Sequence, residues 1–206
     1  MKVKLIKEAF LNCVLMDVDG LALLNCFNEL SIDGYERTEF DHAIAILNVG
    51  SSCTNLAIIG NSAVPFVRDI AYAGDDIIKH IAAENKISTE VVHKALFDDE
   101  SSEYGSLQLG DNLAKACQKL IVEVDETLRY YTAQEKSDVV DKIFVCGGFA
   151  LVKGFVELLN NRLSADAVLW NPFEKIRCDA GLHCREMLQK KGPAMAVAAG
   201  LAVRSI

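Results

Sequence analysis

Two glycine-bearing turns, each directly after an apolar run, are the places where this sequence is best equipped for chemistry. The first is Asn48-Val49-Gly50-Ser51-Ser52-Cys53-Thr54, following Ala43 to Leu47. A tight turn of small residues lines up successive backbone N–H groups, which together form a concave anion site. The hydroxyls of Ser51, Ser52 and Thr54 add donors. A plain hairpin turn is the commoner meaning of such a motif, and phosphate binding the sharper one. The second is Gly147-Gly148-Phe149, which follows Lys142-Ile-Phe-Val-Cys146 and precedes a helical run with Gly154. Glycines there let a ligand lie against backbone at the C-terminal end of a strand, where open α/β sheets bind ligands. The run lacks the lysine of a P-loop and does not complete a GxGxxG pattern, so neither fingerprint applies.

Other chemistry-bearing residues carry weaker patterns. Asp17-Val18-Asp19-Gly20 has the look of a phosphatase aspartate pair, but it continues into Leu-Ala-Leu-Leu, a core helix, with no matching lysine or threonine motif. His42, His80, His93 and His183 are dispersed, which indicates no histidine base. Lys79 and His80, just after Gly74, are candidates to approach an adenine, with a plain surface role as the commoner reading. Seven cysteines (Cys13, Cys26, Cys53, Cys117, Cys146, Cys178, Cys184) show no CxxC spacing and often sit in apolar runs, which fits buried free thiols rather than a disulfide framework. Cys178, His183 and Cys184 form a loose metal-like cluster without the second ligand pair of a zinc site.

The elements that must position these residues follow from periodicity. Residues 2–10 read as a short helix, 13–18 as a strand, 19–31 as an apolar helix and 32–42 as a polar loop. Three β-like runs follow, Ala43 to Val49, Asn55 to Gly60 and Ala63 to Ala71, and the small-residue turns between them, including Gly60-Asn61-Ser62, predict consecutive hairpins. Gly74-Asp75-Asp76 opens a helix to about Asn85, with Ile77, Ile78, Ile81 and Ala82 on one face. Ser88 and Glu90 start another. An acidic connection over 98–106 leads to a long helix marked by Leu113, Cys117, Leu120, Ile121, Val124, Leu128 and Tyr131. A strand over 142–146, a helix over about 152–164, a short strand at Val168 to Trp170 ended by Asn171-Pro172, and a small-residue helix over 192–203 complete the chain. The order predicts an α/β fold with a mixed sheet covered by helices.

Composition sets bounds on function. At 206 residues, one large domain or two small ones can bury enough surface to fold without staples. A net charge of −8 gives no electrostatic ground for nucleic-acid or anionic-membrane binding. No apolar stretch approaches the roughly 20 residues that span a bilayer, and the N-terminus lacks a signal-peptide pattern, so the expectation is a cytoplasmic protein without direct membrane insertion.

Taken together, the turns carry a resemblance. A strand–DxGxxxT hairpin, a helix opening on Gly-x-Asp and a strand–GGxxxxxG–helix occur in that order in the actin-like superfamily. Here they are Asn48–Thr54, Ala73-Gly74-Asp75-Asp76-Ile77 and Gly147–Gly154. Lys7 to Phe10 with Val14 to Leu24, the Asn171-Pro172-Phe173-Glu174-Lys175-Ile176 segment, and Gly192 to Ala202 further resemble the PilM family of type IV pilus assembly proteins, relatives of the cell-division protein FtsA. The resemblance covers nearly the whole chain.

It implies an actin-like (ribonuclease H-like) lobe, with 1–42 an inter-lobe segment and 43–206 the second lobe, whose 74–135 part is helical with a small inserted subdomain. It implies ATP or ADP with Mg as cofactor, phosphates against Asn48, Gly50, Ser51, Ser52 and Thr54, and adenosine against Gly74, Asp75, Gly147, Gly148 and Phe149. Two departures stand out. The family aspartate is Asn48 here, a neutral and poorer ligand for a hard cation, so the resemblance implies at most weak ATPase activity. The first phosphate loop would lie before Met1, so the chain reads as the C-terminal part of a longer protein. The implied partner is the cytoplasmic tail of a PilN-like inner-membrane protein, held largely by that other lobe, with pilus ATPases as a further partner class. The implied location is the cytoplasm, peripheral to the inner membrane through partners. The rival readings are a small-molecule kinase on the same fold, which needs a positioned base and metal carboxylates, and a degenerate partner-binding module without nucleotide.

Overall fold

The computed structural model describes residues 2–30, 43–60, 64–97, 109–135, 139–174, 176, 179 and 181–204. The expected loop over 32–42, the Asn61-Ser62 turn, the acidic connection over 98–106 and Cys178 lie outside the described residues. Ala43–Val49 (β1) is apolar on both faces, the mark of a strand covered on both sides. It lies in the middle of a five-stranded sheet among the described residues, in the order β3-β2-β1-β4-β5. Thr54–Ile59 (β2) and Phe66–Ile70 (β3) continue from it as antiparallel hairpins. Val140–Cys146 (β4) and Asp166–Leu169 (β5) add in parallel on its other side.

The two-residue pleat sorts β1 between two cores. Ala43, Ala45, Leu47 and Val49 face one cluster. Gly74–Asn85 (α3), Thr89–Phe97 (α4), Leu109–Glu135 (α5) and Phe155–Arg162 (α6) close that cluster through Ile77, Val92, Leu120 and Leu159. Ile44 and Ile46 face the other cluster, covered by Asp19–Leu30 (α2) and Ala196–Val203 (α8). There Phe27 stacks at 4.7 Å on Phe144 and 5.6 Å on Trp170. The small residues of α8 permit the expected backbone approach: a Cβ on Gly200 would overlap the Ala22 carbonyl oxygen and lie 2.5 Å from its carbon.

Structure and expectation differ at four places. The strand expected over 13–18 is absent, and residues 11–18 form no regular element. A strand needs a neighbour to complete its ladder, and the register of the described sheet includes none of these residues. Leu11, Val14, Leu15, Met16 and Val18 stand exposed instead, with Phe10 before them 99% exposed. The segment is pinned at its end, where Asp17 accepts from the Arg204 guanidinium and from Asn25 Nδ2. That ion pair also removes Asp17 from any phosphatase-like role. The helix expected over about 152–164 is the shorter α6, which a left-handed Gly154 (φ 83°) separates from a 3-10 turn at Gly148–Leu151. The closing helix likewise divides into a 3-10 turn (Gly192–Met195) and α8. Finally, Leu182–Lys191 forms a helix (α7) that periodicity did not reveal, because it buries none of its residues and has no apolar stripe to read.

Candidate functional site

The parallel pairing of β1 with β4 sets Asn48 opposite Cys146, so the turns after the two strands leave the same end of the sheet. The first turn closes on itself, with Gly50 N–H donating to Cys53 O at 3.1 Å. The start of α3 docks on it: Gly74 N–H donates to Gly50 O at 3.0 Å and Asp75 N–H to Ser51 O at 2.8 Å. Asp76 Oδ2 accepts from Ala73 N–H at 3.2 Å, which closes the first turn of α3 and favours an acid at that position. Gly147 is equally constrained. Its φ of 94° favours glycine, and a Cβ there would lie 2.6 Å from the Val49 carbonyl carbon. Phe149 Cδ2 would lie 3.0 Å from a Cβ on Gly74, so the Gly147 turn, the third of the three motifs, is in contact with the second as well. The structure therefore brings Asn48–Thr54, Gly74–Asp75 and Gly147–Phe149 together at one end of the sheet.

Within that group the side chains differ in what they offer. Ser51, Ser52 and Asp75 are exposed. Gly148 is open: a Cβ there would meet nothing within 4 Å. Thr54 is fully buried and its hydroxyl donates to Tyr72 O at 2.9 Å, bracing β2 against the lead into α3. The Phe149 ring is 2% exposed, edge-on to Phe155 at 5.1 Å and Phe97 at 6.3 Å, which leaves only its backbone for a ligand. The Gly147 amide donates to Pro193 O at 2.8 Å and ties the third turn to the chain's closing segment.

A polar row that the sequence reading missed crosses the same end of the sheet. Asn48 Nδ2 donates to Asn55 Oδ1 at 2.9 Å, and Asn55 Nδ2 donates to Asp69 Oδ1 at 2.8 Å. The Cys146 thiol donates to Asn48 Oδ1 at 3.8 Å. The available signal was Asn55 itself, an amide at the head of the apolar Leu56 to Ile59 run. Burial, then the carboxylates of Asp69 and Asp19, push the nearby Cys53 thiol above its ordinary pKa.

The exposed loop hydroxyls, the open Gly148 and the uncharged Asn48 offer hydrogen-bonding groups and open space at this end of the sheet. Among the described residues, no three of His, Cys, Asp and Glu converge to hold a metal. His80 does not join the loops. It lines a surface groove of about 710 Å³ with Glu84, Asn85, Asn112, Lys115 and Arg162, and no loop residue borders that groove. No helix among the described residues is long and apolar enough to cross a membrane.

Solved structures share this fold. A chain of the PilM-PilN type IV pilus biogenesis complex superposes with a TM-score of 0.76 at 23% identity, covering 98% of this chain and 56% of that one. The ethanolamine utilization protein EutJ from Carboxydothermus hydrogenoformans gives 0.65 at 16% identity, covering 98% and 59%. MreB5 of Spiroplasma citri, solved with ADP bound, gives 0.59 at 18% identity, covering 97% and 62%. The fold is thus actin-like, and this chain spans 56–62% of the length of these three structures. The family described as type IV pilus assembly protein PilM matches residues 1–206, so this chain belongs to the PilM family.

Proposed function

We propose that the chain forms one wall of a nucleotide cleft in an actin-like scaffold of type IV pilus assembly. ATP or ADP, with Mg carried on its phosphates, lies with the phosphates toward Asn48, Gly50, Ser51 and Ser52. The adenosine lies toward Gly74, Asp75, Gly147, Gly148 and the Phe149 backbone. The Thr54 hydroxyl is engaged with Tyr72 O, so Thr54 contributes by holding the loop. The observation that carries this reading is the meeting of three loops, distant in sequence, at the C-terminal end of β1 and β4, where α/β sheets take ligands. Asn48 in place of a carboxylate favours binding over turnover. In this reading the protein is cytoplasmic, and it reaches the inner membrane by docking the tail of a PilN-like protein and passing nucleotide state to it.

Calorimetry of the full-length protein with Mg-ATP tests the cleft. Heat is expected for the wild type, and Gly148→Val should abolish it with little change in melting temperature, since a Cβ there meets nothing within 4 Å. Unchanged binding by that variant contradicts the assigned site. Co-purification with a peptide carrying the PilN-type tail tests the docking role, and failure with nucleotide both present and absent contradicts it.

A further inference from the structure

We infer that Asp69 is a positioning residue for Asn48, fixing which end of the Asn48 amide is turned toward the cleft turn after β4. A carboxylate only accepts hydrogen bonds. Asp69 therefore takes the –NH2 of Asn55 (2.8 Å). That leaves the Asn55 oxygen as the acceptor for Asn48 Nδ2 (2.9 Å). The Asn48 oxygen is then directed the other way along the register, to Cys146 at the end of β4, where Gly147 begins.

Its partner there is a thiol at 3.8 Å, a weak donor, and burial holds that thiol protonated by raising its pKa well above the ordinary value. The Asn48 oxygen thus keeps accepting capacity on a side chain that is partly exposed. With the amide reversed, an N–H pair would occupy the same place and oppose a cation. The uncharged Asn48 can in this way still accept from the water shell of a phosphate-bound Mg2+, with its polarity set from two strands away.

The inference rests on the nucleotide reading above, and a double-mutant cycle separates the two. The readout is Mg preference: the ratio of the dissociation constant for ATP in EDTA to that for Mg-ATP, by calorimetry on the full-length protein. Asp69 is exposed, so Asp69→Ala should fold. It should lower the Mg preference by about three- to tenfold, the effect of one hydrogen bond. In an Asn48→Ala background the same substitution should change nothing, because no amide remains to orient. An equal loss in both backgrounds shows that Asp69 acts by its charge and overturns the inference, as does no loss in either. Absence of any heat from the wild type rejects the nucleotide reading and this inference with it.

Discussion

The crossing of α2 over α8 offers the most direct quantitative test of the fold. Gly200→Ala would place a Cβ 2.5 Å from the Ala22 carbonyl carbon and 3.1 Å from Cys26 Cβ. Relaxed carbon contacts lie at about 3.5–4.0 Å, so the helices must part by about 1 Å. The obstacle is backbone, and no rotamer change relieves it. Alanine gains about 1 kcal/mol over glycine from helix propensity alone. Overpacking costs about 1–3 kcal/mol, and a backbone clash belongs at the upper end of that range. Parting the helices also loosens Leu23, Phe27 and Trp170 beneath them. The net expectation is a loss of about 2 kcal/mol, or roughly 4–8 °C in melting temperature for a chain of this size. Thermal melts followed by circular dichroism measure it. Gly148→Ala is the control, because a Cβ there meets nothing within 4 Å and its melting point should hold. If Gly200→Ala melts at or above the wild-type temperature, the two backbones do not approach as described.

Three further outcomes are expected. Asn171 donates to Leu188 O and Gln189 O at the end of α7 and accepts from Phe173 N–H; Asn171→Ala should cost about 1–3 kcal/mol in urea unfolding and speed amide exchange in α7. Arg68 reaches both Thr127 and Glu123 at 2.6 Å, but the ion pair is about a third exposed; Arg68→Lys should cost only about 0.5 kcal/mol, and less in 1 M salt, by the same unfolding assay. Burial raises the thiols of Cys26 and Cys117 from 9.0 to about 12. Both stay protonated in the folded chain while they ionise in the unfolded one, so their contribution to stability is intact below pH 9 and declines between pH 9 and 12. The urea midpoint should therefore fall more steeply across that window in the wild type than in Cys117→Ala.

Much of the fold was legible because it rests on local rules. The continuous apolar run of β1 and the three- and four-residue steps of α5 are local patterns, and small residues at Gly50, Gly74 and Gly147 mark places where backbone must come close. What stayed hidden depended on partners distant in sequence. Cys-Val-Leu-Met-Asp-Val has strand composition, yet strand formation is settled by a neighbour that the sequence window does not contain. Thr54 and Phe149 sit in motif positions, but packing against Tyr72 and Phe97 gives them structural work. The Asn48–Asn55–Asp69 row could not be read before the register placed those three residues side by side. Helix α7 lacked a signal because amphipathicity reports burial, and it buries nothing.

Asn171 and Gly192 also make a statement about descent. A Cβ on Gly192 would lie 2.6 Å from Asn171 Cγ, so the amide that caps α7 occupies the volume a larger residue at 192 would need. The two positions therefore behave as one heritable unit. A lineage that enlarges residue 192 must first shrink residue 171 and find another way to terminate α7, and one that keeps asparagine at 171 holds glycine at 192 by exclusion. Among descendants of this chain the two sites should change together or not at all, across the twenty residues that separate them.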